Sequence, residues 1–88
     1  MDASKLDGNA VAGLLREVFA VEMTTATGTC DGCGAVEAMG AVDVYVGAGT
    51  VLRCPHCDNA LVKIVRSETR VWIGFPGLRT LEVVVQGS

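Results

Sequence analysis

From Leu6 to Ala20 the apolar residues Ala10, Val11, Leu14, Leu15, Val18 and Phe19 recur three and four positions apart, with Arg16 and Glu17 off that stripe. This period predicts an amphipathic helix over 6–20, with one side available for burial. Asp7 or Asn9 would cap it, because either side-chain oxygen can accept an otherwise unpaired first-turn amide, and the intervening Gly8 marks an irregular start.

Past residue 20 the period shortens to two. Val21, Met23 and Thr25 alternate with Glu22, Thr24 and Ala26, and the threonines favour extended chain, so a strand is expected over 21–29. In 41–46, Val42, Val44 and Val46 alternate with Asp43 and Tyr45; Gly47-Ala-Gly49 then turns the chain back into a strand over 50–53. Two more strands are expected over 60–66 and 70–75, joined by Ser67-Glu-Thr69, a link of hairpin length. In the second of these, Val71, Ile73 and Phe75 fall on one side and Arg70 and Trp72 on the other. Pro76-Gly77 breaks the pattern, and the β-branched run 81–85 predicts a last strand. The chain reads as one α+β domain over 1–88, with a helix at 6–20 followed by a β-rich stretch at 21–85.

Composition changes this picture in two ways. Eighty-eight residues bury a smaller fraction of their surface than a longer chain would, so a domain this size often needs a covalent or metal staple. Half the residues are hydrophobic and mean hydropathy is +0.43, which suits either a core rich in Val and Ala or a face buried in a dimer or by a protein partner. No apolar run is long enough to span a membrane, and the start, Met1-Asp-Ala-Ser-Lys-Leu-Asp7, lacks the apolar core of a signal peptide. A reducing cytoplasm is therefore the expected setting, where paired cysteines serve metals more often than disulfides.

The four cysteines form two C-x-x-C pairs, Cys30-Asp-Gly-Cys33 and Cys54-Pro-His-Cys57, with twenty residues between them. Two thiolates three apart can grip one ion from a tight turn, and a second such turn completes a tetrahedral S4 shell suited to Zn2+. Cys30, Cys33, Cys54 and Cys57 are thus the expected ligands of one structural zinc. Gly34 suits the left-handed backbone with which the chain leaves such a knuckle; Asp58 and Asn59, of types that tolerate that region, follow the second. His56 is expected to face solvent as a fifth wheel to a closed site. A filled shell leaves no position for water, and the sole histidine has no Ser/His/Asp set around it, so no catalysis is expected.

Charge separates the halves. Up to Leu52 there are two basic and seven acidic residues; from Arg53 onward there are five basic and three acidic. The net of −3 argues against non-specific nucleic-acid binding. Arg53, Lys63, Arg66 and Arg70 with Trp72 nonetheless suggest a basic, aromatic face of the kind that holds single strands, which keeps nucleic-acid binding as an alternative function.

Cys30-Asp-Gly-Cys33-Gly34 followed by Arg53-Cys54-Pro-His-Cys57 resembles the zinc ribbon, in which two knuckles on neighbouring hairpins clamp one zinc over a small antiparallel sheet. With Leu6-Asp-Gly-Asn-Ala-Val-Ala-Gly13 and Val71-Trp-Ile-Gly-Phe-Pro-Gly-Leu78, most of the chain resembles a family of small bacterial proteins known only as a zinc-ribbon domain of unknown function. That resemblance implies a helix preceding the ribbon and four cysteine ligands, and it carries no activity across; the fold expected is α+β, with the N-terminal amphipathic helix packed on an antiparallel zinc-ribbon sheet. The knuckles also resemble those of rubredoxin, an iron electron carrier, although the loop between them is short for that family. Cys54-Pro-His-Cys57 alone resembles the active site of thioredoxin-fold thiol oxidants, but a strand pattern rather than a helix follows it and Cys30 and Cys33 would be left without a task.

Overall fold

A computed structural model describes residues 5–19 and 23–83. Its elements are β1 (Lys5–Asp7), a 3-10 turn (Gly8–Val11), α1 (Ala12–Phe19), a 3-10 turn (Met23–Thr25), β2 (Thr27–Cys30), β3 (Val36–Ala38), a 3-10 turn (Met39–Ala41), β4 (Asp43–Val46), β5 (Thr50–Arg53), β6 (Ala60–Arg66), β7 (Val71–Gly74) and β8 (Leu78–Glu82). The strands form two antiparallel sheets, one ordered β1-β4-β5-β6-β7 and one ordered β3-β2-β8. The mixed α+β class agrees with the sequence reading, whereas the single ribbon sheet is replaced by two.

The expected helix over 6–20 is shorter than its stripe. Leu6 belongs to β1, paired with Val44, and Asp7 caps the following 3-10 turn by accepting the Ala10 amide at 3.1 Å. Asn9 lies inside that turn, so of the two candidate caps Asp7 serves. The α-helix proper keeps the apolar period: Leu15 is buried, with Val11, Val18 and Phe19 packed partly against the core. Residue 20 lies outside the described residues, as do Val21 and Glu22 of the strand expected over 21–29. In the rest of that stretch Met23–Thr25 makes a 3-10 turn, and extended chain begins at Thr27.

The central hairpins follow their alternation. Val44, Leu52, Val62 and Ile64 point into the core, where Leu15, Met23, Ala26, Met39, Val42 and Leu61 join them. In the strand expected over 41–46, Ala41 closes a 3-10 turn and the ladder starts at Asp43. The strand expected over 70–75 narrows to Val71–Gly74. The last strand starts earlier than its β-branched run, at Leu78, because its partner is β2: Leu81 faces Gly28 and Leu78 faces Cys30. Residues 84 and 85 of the expected strand lie outside the described residues. Among the described residues, no helix is long and apolar enough to cross a membrane.

The two sheets place the cysteine pairs. Cys30–Cys33 sits in the hairpin between β2 and β3, and Cys54–Cys57 in the hairpin between β5 and β6. Each strand that leads into a knuckle shifts register at its end, between Thr29 and Cys30 and between Leu52 and Arg53. Such irregularities re-aim the next side chain, and here the first cysteine of each pair points inward, 2 % exposed in both cases.

Candidate metal centre

Each knuckle is built by the same two backbone hydrogen bonds. In the first, the Cys30 amide donates to Ala35 O and the Gly34 amide to Cys30 O, both at 2.9 Å. In the second, the Cys54 amide donates to Asn59 O at 2.9 Å and the Asp58 amide to Cys54 O at 2.8 Å. The chain leaves both turns in left-handed conformation, Gly34 with φ 78° and Asp58 with φ 65°. A residue with a Cβ thus takes the shape that glycine takes in the other copy, and the Arg53 guanidinium secures it by donating to Asp58 O at 2.9 Å.

These turns bring all four sulfurs within 4.8 Å of one another, two of the cysteines buried and two exposed. The contacts run between knuckles: Cys30 Sγ to Cys57 Sγ and Cys33 Sγ to Cys54 Sγ, each 3.6 Å. A disulfide needs about 2.05 Å. A tetrahedron with metal–sulfur bonds of about 2.3 Å sets its sulfurs about 3.8 Å apart. The spacing therefore fits four thiolates around one ion and does not fit two disulfides.

Electrostatics point the same way. Amides turned toward the sulfur, chiefly that of Cys33 and then that of Gly32, outweigh burial at Cys30; helped by the Cys57 thiol and by Asn59, they lower its pKa to about 6. At Cys57 the Asn59 amide favours the thiolate, but burial and the thiols of Cys30, Cys33 and Cys54 push it up to about 12. Cys33 is also raised: the Ala35 amide favours its thiolate, but burial and the Cys54 thiol prevail. Cys30 ionises readily and Cys33 and Cys57 then resist, since like charges this close oppose one another. A cation at their centre removes that opposition, so the donor set suits a metal.

Two features of the site have no counterpart in the cysteine spacing. The Asn59 side chain crosses from the second knuckle to the first, its Nδ2 donating to Cys30 Sγ at 3.7 Å. The chain entering β8 straps both knuckles together: the Asp31 amide donates to Gly77 O at 2.7 Å, and a Cβ at Gly77 would collide with Ala60 O. Asn59 stood in the sequence as a turn residue, and its position next to the left-handed residue was the available signal. Gly77 gave no sign beyond Pro76-Gly77, because its role depends on β2–β8 pairing.

His56 is half exposed and stands 2.6 Å from Glu37 through Nε2, outside the sulfur cluster. Its backbone amide contributes more directly, donating to Cys54 Sγ at 3.4 Å. The pairing of β6 with β7 removes Arg66 from the basic, aromatic stripe and leaves Lys63 on the face of Trp72. Val65 faces Trp72 on one side of the sheet, whereas Arg66 faces Val71 on the other and bonds Glu17 of α1 at 2.7 Å. Arg53 is held over the Tyr45 ring, 5.8 Å from its centroid. Lys63 and Arg70 remain on the exposed surface.

No curated protein and no solved structure matches the chain. The model of a family described as "Family of unknown function (DUF6510)" matches residues 2–86, nearly the whole chain, and the protein belongs to that family.

Proposed function

We propose that this is a non-catalytic zinc-ribbon protein in which Cys30, Cys33, Cys54 and Cys57 hold one structural Zn2+ and the metal-braced domain serves protein–protein interaction. The reading is carried by the sulfur geometry: four Sγ atoms mutually within 4.8 Å, in two cross-knuckle contacts of 3.6 Å. Zinc would link two hairpins that belong to different sheets, and four thiolates fill its coordination shell, which leaves no position for a substrate or an activated water. A cytoplasmic setting suits thiols that must stay reduced to bind. The apolar surface left on β6 and β7 and just past them, with Val65, Val71, Trp72, Ile73 and Phe75 each more than a third exposed, supports an interaction role.

The experiment is elemental analysis of protein purified without added metal, together with thiol titration before and after chelation. One zinc per chain and four thiols that become reactive on chelation are expected. Iron in the same stoichiometry, with a reversible one-electron couple, would replace this reading by that of a rubredoxin-like carrier, since an S4 site also holds iron. A chain that carries no metal and keeps its fold would overturn both.

A further inference from the structure

Exposed strand edges invite pairing with another chain, and proteins guard them with charged residues. Among the described residues four strands end a sheet: β1, β3, β7 and β8. Three carry charge, with Asp7 in β1, Glu37 in β3, and Arg79 and Glu82 in β8. The fourth, β7, reads Val71-Trp-Ile-Gly74; it has no charged residue and is exposed throughout. Trp72 is 54 % exposed at this edge, a large apolar side chain in a place where the other edges keep ions.

From this edge we infer that the partner of β7 is β7 of a second copy, paired antiparallel about a two-fold axis that passes between the two Trp72 residues. The inference rests on the interaction role proposed for the protein and names the partner. Its register follows from the hairpin. The Ser67 amide donates to Arg70 O at 2.8 Å, so the 67–70 pair is hydrogen-bonded. Antiparallel pairs alternate from there: Trp72 turns its N–H and C=O toward Val65 of β6, and Val71 and Ile73 turn theirs outward. Setting Val71 of each copy opposite Ile73 of the other pairs every outward group of the strand within the strand itself. The same register places Trp72 against Trp72 in a non-hydrogen-bonded pair, where side chains approach most closely. It also sets the long Arg70 side chain opposite Gly74, which has none to obstruct it.

The area suits a weak, reversible dimer. Large aromatic side chains carry about 150–250 Å2 each, so half-exposed Trp72 on one face of the strand, with Val71 and Ile73 on the other, offers on the order of 250 Å2 per copy. The pair would close on the order of 500 Å2 of apolar side chain besides the paired strand edges, in the range of weak, transient contacts. A dimer that dissociates on dilution is the consequence, extending the sheet across ten strands.

Sedimentation velocity on the metal-loaded full-length protein, from about one to several hundred micromolar, tests this against the interface sizes that accompany weak association. The wild type should shift from monomer to dimer with concentration. Trp72→Lys should remain monomeric across the range, because it sets two ammonium groups face to face on the axis. Ile73→Pro should do the same by a different route: its N–H faces away from β6, so the internal ladder survives while the outer one is lost. Metal content measured on the same samples separates this inference from the metal assignment. A monomer at every concentration with its metal in place overturns the dimer alone. A dimer that both variants leave intact overturns the β7 interface, as does a monomer that captures a labelled oligonucleotide through Trp72.

Discussion

The two knuckles share a backbone and differ in what they add to it. Cys30–Ala35 and Cys54–Asn59 carry matching amide-to-carbonyl bonds, a matching left-handed exit and a matching inward first cysteine. At the position where the first knuckle has Ala35, however, the second has Asn59, whose side chain reaches over to Cys30 Sγ. Support between the knuckles thus runs in one direction, and Cys30, with amides of its own knuckle and a donor from the other, is the sulfur whose pKa is lowered. Backbone shape is evidently what gathers the sulfurs, and side chains decide how the charge is shared among them.

The strongest way to break the equivalence is to remove the ion proposed to bridge the two knuckles. Structural zinc is worth about 10–16 kcal/mol, while a chain of this size is held by about 0.05–0.15 kcal/mol per residue in total. Chelation should therefore collapse the near-ultraviolet circular dichroism and abolish a cooperative melt. Cys54→Ser should do the same, since it removes a ligand and leaves a hydroxyl where a buried sulfur stood. A serine variant that retains zinc at full occupancy would show that four sulfurs are not required.

Next in size is the one-way support itself. Asn59→Ala removes the donor to Cys30 and keeps the backbone carbonyl that closes the second knuckle. Groups that orient metal ligands from behind are worth about 10–100-fold in affinity. Competition with a chromophoric chelator should show a loss near the lower end of that range, with an unchanged fold in the metal-saturated protein. An affinity equal to wild type would reduce the Asn59 contact to simple proximity.

A smaller effect isolates the left-handed exit. Holding a residue with a Cβ in that region costs about 1–2 kcal/mol relative to glycine. Asp58→Gly should accordingly raise the thermal midpoint by several degrees, since about 1 kcal/mol moves a domain of this size by 4–8 °C. Gly34→Ala should lower it by a similar amount. Open space surrounds a Cβ at Gly34, so the change would report conformation without collision.

The knuckles were legible in the sequence because their chemistry is local: two cysteines three apart, with a left-handed residue after them. The hairpins of β4, β5 and β6 were legible for a related reason, since Val44, Leu52, Val62 and Ile64 show the two-residue period of a half-buried sheet. What the chain did not disclose depends on partners distant in sequence. A three-residue strand such as β1 has too few positions to display a period, so Leu6 merged with the helical stripe and its pairing with Val44 went unseen. Val36–Ala38 escaped notice for the same cause and becomes a strand by lying against β2. Arg66 was grouped with Trp72 by composition, and only the register of β6 on β7 sends it to the other side, to Glu17.

His56 offers the finest test of where knuckle structure resides. In its own turn it occupies the place that Gly32 occupies in the first, and the amides of both residues point at the sulfur of the preceding first cysteine. If the shared element is backbone, the imidazole is incidental to the metal. The ring's partner, Glu37, is at 2.6 Å, but the two side chains are 53 % and 30 % exposed, and ion pairs so placed contribute about 0–1 kcal/mol. His56→Ala should therefore leave zinc stoichiometry and chelator competition unchanged and lower the thermal midpoint by at most about 8 °C. A measurable loss of metal in that variant would give the imidazole a part in the site, and the two knuckles would then differ in their chemistry as well as in the reach of Asn59.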